Sequence, residues 1–107
     1  KKVEAFAEQR VVAVSAGSSH SLSLTADGAV WSWGLGGRGR LGHGDTQNQL
    51  LPKKVEVFAG RRVIAVSAGS DHCLALAANG SVWSWGGGAG GKLGHGGEQS
   101  QWQPKKV

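Results

Sequence analysis

Four histidines (His20, His43, His72 and His95), one cysteine (Cys73) and two glycine-rich runs are the residues of this chain whose types suit chemistry. Histidine and cysteine ligate zinc, a histidine beside a cysteine can activate the thiolate, and a GxGxxG loop that opens a helix cradles a pyrophosphate. Spacing argues against each. His20 and His72 stand 52 residues apart, as do His43 and His95. They read as copied parts of a repeat, whereas zinc ligands must converge within about 2 Å of one ion. In Asp71-His72-Cys73, neighbours on a strand point to opposite faces, so His72 cannot serve the thiol beside it. Gly34-Leu35-Gly36-Gly37-Arg38-Gly39 and Gly86-Gly87-Gly88-Ala89-Gly90-Gly91 match the dinucleotide pattern, but more glycines and a Leu-Gly-His-Gly run follow. No helix N-terminus is then available for a phosphate. The expectation is no catalytic group, no metal and no cofactor. His20 and His72 are read as strand-end residues bonding a neighbouring turn, and His43 and His95 as residues that order the glycine-rich loops. Cys73, which aligns with Ser21, is read as a small buried residue.

The elements that position these residues are set by an internal repeat. Lys1-Lys2-Val3-Glu4 recurs at Lys53-Lys54-Val55-Glu56, Ala16-Gly17 at Ala68-Gly69, and Leu41-Gly42-His43-Gly44 at Leu93-Gly94-His95-Gly96, all at an offset of 52. About 33 of the 52 aligned positions are identical without a gap. The chain divides into repeat 1 over 1–52, repeat 2 over 53–104, and the start of a third copy over 105–107. Within repeat 1, Val11 to Ala16 lacks a helical period, and His20-Ser21-Leu22-Ser23-Leu24 alternates as a strand does. Val30-Trp31-Ser32-Trp33 places both tryptophans on one face. Asp27-Gly28 and Asn79-Gly80 supply the turn residues of hairpins. Pro52 through Val57 reads as an edge strand, since proline cannot donate to a ladder. Short strands recurring at this interval predict an all-β fold of two antiparallel four-stranded propeller blades.

Composition agrees. Five tryptophans and 39% hydrophobic residues argue for a packed chain despite 19 glycines. No apolar run approaches the roughly 18 residues of a membrane span, so no membrane partner is expected. A single cysteine forms no internal disulfide, which fits a reducing compartment. The net charge of +5 has a bland source in the lysine pairs, which protect open strand edges. Nucleic acid is a secondary expectation, because basic residues and aromatics do not interleave as they do for single strands.

Four ordered motifs, each present twice, resemble the repeats of the regulator of chromosome condensation family. They are Ala16-Gly17-x-x-His20-Ser21-Leu22, Asp27-Gly28-x-Val30-Trp31-Ser32-Trp33-Gly34, Leu41-Gly42-His43-Gly44 and Pro52. Repeat 2 answers with Ala68-Gly69, His72, Leu74, Asn79-Gly80, Trp83-Ser84-Trp85-Gly86, Leu93 to Gly96 and Pro104. The resemblance covers essentially the whole chain and implies a seven-bladed propeller. Two blades are incomplete alone, so the chain is expected to be a segment of a longer propeller, with a ring closed by other copies as the rival. Light-sensing members carry tryptophan in a Gly-Trp-Arg-His-Thr motif. Gly17-Ser18-Ser19-His20-Ser21 and Gly69-Ser70-Asp71-His72-Cys73 place serine there, so that chemistry is not implied.

The function expected is a non-catalytic scaffold that binds proteins through blade loops held by a rigid framework. Arg38, Arg40, Asp45, Lys92, Glu98 and Trp102 are the contact candidates, because they vary between repeats or carry charge; Trp102 is assigned to a variable loop. Gly17, His20, Gly28, Trp31, Trp33, Gly34, His43, Gly69, His72, Gly80, Trp83, Trp85, Gly86 and His95 are assigned to structure. The resemblance adds an alternative, guanine-nucleotide exchange on a small GTPase with docking on chromatin. Expected partners are proteins, a small GTPase or a larger complex among them, and further blades. The expected compartment is intracellular, with nucleus, cytoplasm and cilium undistinguished.

Overall fold

A computed structural model describes residues 10–87 and 100–107. It contains eight strands: β1 (Val11–Ala16), β2 (His20–Thr25), β3 (Val30–Gly34), β4 (Gln49–Lys54), β5 (Val63–Ala68), β6 (His72–Ala77), β7 (Val82–Gly86) and β8 (Gln101–Lys106). They form two four-stranded sheets with neighbours in chain order, β1-β2-β3-β4 and β5-β6-β7-β8. Every pairing is antiparallel, and the register repeats: Leu22 faces Ser32 as Leu74 faces Ser84. The first sheet ends at Lys54, so repeat and sheet are out of phase, and position 52 lies inside β4.

Local chemistry explains the turns. Thr25 and Ala29 bracket the first hairpin, where the Thr25 amide donates to the Ala29 carbonyl at 3.0 Å. The Asp27 carboxylate accepts from the Thr25 hydroxyl at 2.6 Å and the Ala29 amide at 3.2 Å. Gly28 has φ +86°, a conformation that only glycine adopts cheaply. The outer strand departs from the sequence expectation. It begins at Gln49 and stops at Lys54, and Glu56–Phe58 turns as a short 3-10 segment. The reason is Val55 and Phe58, both buried, which leave the edge and turn into the core. Leu50, Leu51 and Pro52 sit in a bulge, since Gly34 pairs with Gln49 but Ser32 pairs with Lys53. Trp102 lies in the matching bulge of β8 rather than in a loop.

The core is the seam between the sheets. Leu22, Leu24 and Val30 of the first sheet meet Val63, Cys73, Ala75, Trp83 and Trp85 of the second. Phe58 packs edge-on to both tryptophans, with ring centroids 5.7 Å from Trp83 and 5.6 Å from Trp85. Burial of an aromatic ring of this size removes on the order of 200 Å² from water and dominates such a seam. The outer faces are bare. Leu22 and Val30 are 0% exposed, whereas their equivalents Leu74 and Val82 are 37% and 40% exposed. At the other end of the pair, Trp31 and Trp33 are only half-buried.

Candidate functional site

The glycine-rich connection between β3 and β4 does not stay over its own sheet. Gly37–Gly39 forms one 3-10 turn that contacts β7 and β8 of the second sheet. Glycine makes that approach feasible. At Gly39, with φ +74°, a Cβ would collide with the Trp102 Cα, and at Gly42, with φ +80°, one would stand 2.9 Å from the Trp85 indole nitrogen. The Gly44 amide then donates to the Trp102 carbonyl at 2.9 Å.

Arg40 is the fixed point of this loop. Its carbonyl accepts from the Trp85 indole N–H at 3.0 Å and from the Cys73 thiol at 3.3 Å. Its guanidinium donates to the Ser19 hydroxyl and, through Nε, to the Gly37 carbonyl at 2.8 Å. His43 ties the far side: its Nε2 lies 2.9 Å from the Ser32 hydroxyl, which donates to the Leu41 carbonyl at 2.6 Å. Burial, followed by the charge of Lys53, lowers the His43 pKa.

With the loop anchored, Arg38 is thrust outward. It is the only non-glycine residue with positive φ among the described residues (φ 63°), and its side chain is exposed. The Arg38 Cδ passes over Gly87, and the guanidinium reaches the Asp71 carboxylate at 3.9 Å, a surface ion pair that contributes little to stability. Asp45 is half-buried and accepts from the Gln47 amide at 3.1 Å, closing a local turn. Trp102 is half-exposed beside Gly39. The structure therefore brings Arg38, Arg40 and Trp102 around one loop, with Arg40 built into the framework and Arg38 free of it. Lys92, Glu98 and His95 lie outside the described residues.

Two features escaped the sequence reading. His20 does not bond a turn through its ring: Nε2 lies 3.2 Å from Cys73 Sγ across the seam. The imidazole is buried, and burial, then Arg40, then His72 lower its pKa. The ring packs against Gly17 of the preceding turn, but the hydrogen bond to that turn is made by the His20 carbonyl, which accepts from the Gly17 amide at 2.8 Å. Burial pushes the Cys73 thiol well above its ordinary range, so the pair is neutral and does not form a thiolate nucleophile. The only sequence signal was the Ser21-to-Cys73 difference between repeats. The second feature is Arg61, whose guanidinium stacks over Trp83 at 4.9 Å from the ring centroid. Among the described residues, no three His, Cys, Asp or Glu side chains gather as a metal site would require.

Two four-stranded antiparallel sheets stacked through tryptophans, with the β3–β4 connection of the first laid against the second, define a pair of adjacent β-propeller blades. The profile described as Regulator of chromosome condensation (RCC1) repeat matches residues 27–76 and 79–107, and a second of the same description matches 11–40 and 63–91. The chain belongs to the RCC1 repeat family. It is 48% identical to human E3 ubiquitin-protein ligase HERC2, over 98% of this chain and 2% of that protein. It is 39% identical to the ultraviolet-B receptor UVR8 of Arabidopsis thaliana, over 92% of this chain and 22% of that protein. The chain thus spans a small fraction of these relatives. Among solved structures, human WBSCR16 superimposes with a TM-score of 0.85 at 35% identity, covering 94% of this chain and 26% of that one. Prp20p from Saccharomyces cerevisiae, described with its binding to Gsp1p and histones, gives 0.85 at 28% identity over 94% and 26%. No helix among the described residues is long and apolar enough to cross a membrane.

Proposed function

We propose that this blade pair is a non-catalytic part of a propeller scaffold, and that the rim carrying Arg38 binds a protein partner. The observation that carries the reading is the division of labour within one loop. Arg40 spends its polar groups on Ser19, Gly37, Cys73 and Trp85, while Arg38 projects from a rigid turn with one distant, solvent-screened contact. A preorganised cation on a fixed turn favours binding because little conformational freedom is lost on association. Trp102 flanks it beside Gly39, and Asp45, Lys92 and Glu98 belong to the same reading by their place in the glycine-rich connections of the two repeats.

The test is affinity capture with the full protein that contains these blades, comparing the native chain with Arg38→Glu. Loss of a stoichiometric partner on reversal, with unfolding behaviour unchanged, is the expected outcome. An unchanged set of captured proteins refutes the assignment of this rim. Arg40 is unsuitable for the test, since its replacement disturbs the loop itself.

The likeness to Prp20p supports a second reading, in which the complete propeller accelerates nucleotide release from a small GTPase. Release of a labelled guanine nucleotide, with and without the whole propeller, separates the two. Acceleration establishes exchange activity, and an unaltered rate leaves the scaffold.

A further inference from the structure

The opposite ends of the strands carry a second charged surface that the glycine-loop reading does not use. Arg61 and Arg62 lie between the turn after β4 and the start of β5, and they line two adjoining hollows. One, of about 270 Å³, is bounded by Arg61, Arg62, Asn79 and Ser81; the other, of about 240 Å³, by Asp27, Lys54, Arg61 and Arg62. Among the described residues, no ion pair engages Lys54, Arg61 or Arg62. The one carboxylate present, Asp27, is already occupied by Thr25 and Ala29. Three cations thus face one internally satisfied anion.

Both arginines are held by their backbones. The Arg61 amide donates to the Phe58 carbonyl at 2.8 Å, the Arg62 carbonyl accepts from the Ala78 amide at 2.8 Å, and Arg61 is stacked on Trp83. The arrangement repeats with the blades, since the Arg10 carbonyl accepts from the Ala26 amide at 2.7 Å, as Arg62 does from Ala78. Each inner strand is therefore preceded by an arginine at the same rim.

We propose that this hairpin-side rim binds an extended, carboxylate-rich peptide segment of a protein partner. Its acidic side chains enter the two hollows and pair with Arg61, Arg62 and Lys54. Guanidinium groups fork onto carboxylates with two parallel hydrogen bonds, and a guanidinium already stacked on an indole loses little freedom in doing so. The hollows fall below the roughly 300 Å³ at which small-molecule pockets begin, and they are sized for side chains. A nucleic acid strand is disfavoured in these hollows, because Phe58, which lines one, and Trp83, which lies beneath Arg61, are both buried and offer no face for a base. This surface is independent of the one around Arg38, and either can fail without the other.

Fluorescence anisotropy of a labelled peptide of alternating glutamate and serine, titrated with the full protein that contains these blades at about 0.05 M salt, tests the proposal. Binding at least about tenfold tighter than that of the glutamine-serine peptide is expected, weakening steeply as salt rises. Arg62→Glu lowers the affinity at least about tenfold and Arg62→Gln lowers it less. Tryptophan emission reports that each variant is folded. Equal binding of the acidic and neutral peptides overturns the proposal, as does an Arg62→Glu variant that binds like the native chain. Duplex DNA that displaces the peptide at a lower concentration than the peptide itself requires overturns it in favour of a nucleic acid surface.

Discussion

The indole N–H of Trp85, in the second sheet, donates to the backbone carbonyl of Arg40, in the connection between β3 and β4 of the first, at 3.0 Å. The second blade's most buried aromatic ring is therefore sealed by the first blade's loop. Because the same carbonyl also receives the Cys73 thiol, one peptide group closes the seam. Trp85→Phe removes one donor while keeping most of the apolar contact. The expected loss is about 1–2 kcal/mol, read from urea denaturation followed by circular dichroism. A variant as stable as the native chain contradicts the assigned role of this bond.

Gly39→Ala forces both a positive φ on a residue with Cβ and a backbone clash with Trp102. A destabilisation of at least about 1–3 kcal/mol is expected, together with loosening of the loop from the seam. Cys73 supplies the readout. A disulfide reagent should label the native thiol only over hours at mildly alkaline pH, because the group is buried and its thiolate is suppressed. Faster labelling in Gly39→Ala is the predicted result, and equal rates in both chains would count against it.

Acidification should destabilise the fold through its histidines. His20 and His43 both have folded pKa values below the ordinary 6.5, chiefly because burial disfavours the cation. As pH falls through 6.5 the unfolded chain takes up protons that the folded chain refuses, so stability is full above that value and declines below it. The decline ends once the pH passes beneath the folded values. The urea midpoint should therefore be flat from about pH 7 to 8 and drop between about pH 6.5 and 5. His20→Gln should reduce the slope. A midpoint that rises on acidification would refute this account.

Equivalent leucines should behave unequally. Leu22 is sealed between the sheets and Leu74 faces outward from the second sheet. Leu22→Ala is expected to cost about 2–5 kcal/mol and Leu74→Ala less than about 1 kcal/mol in this chain. When further blades flank the second sheet, the Leu74 effect should approach that of Leu22. Equal effects in the two-blade chain would show that the outer face is already covered.

Much of the architecture was legible because the repeat supplied it twice. Alternation in His20 to Leu24, the Asp27-Gly28 turn and the paired tryptophans each specify strand, hairpin and face by local rules. The end of β4 was not legible. Val55 and Val57 look like strand residues, and what ends the strand is the demand of Phe58 for the space between two tryptophans 25 and 27 residues further along. The partnership of His20 with Cys73 was hidden for a similar reason. Their separation of 53 residues carries no periodic signal, and it becomes contact only when one sheet stacks on the next. Arg38 and Arg40 look interchangeable in sequence, yet one is exposed and the other built in, a distinction made by the left-handed turn between them.

The loop that leaves one sheet to close the next has an implication for interpreting inherited variants of such proteins. Harm done by an amino-acid change in a Leu-Gly-His-Gly stretch should surface in the following repeat, where the orphaned indole sits. Mapping the lesion by alignment alone would then blame the wrong unit, one step too early along the chain.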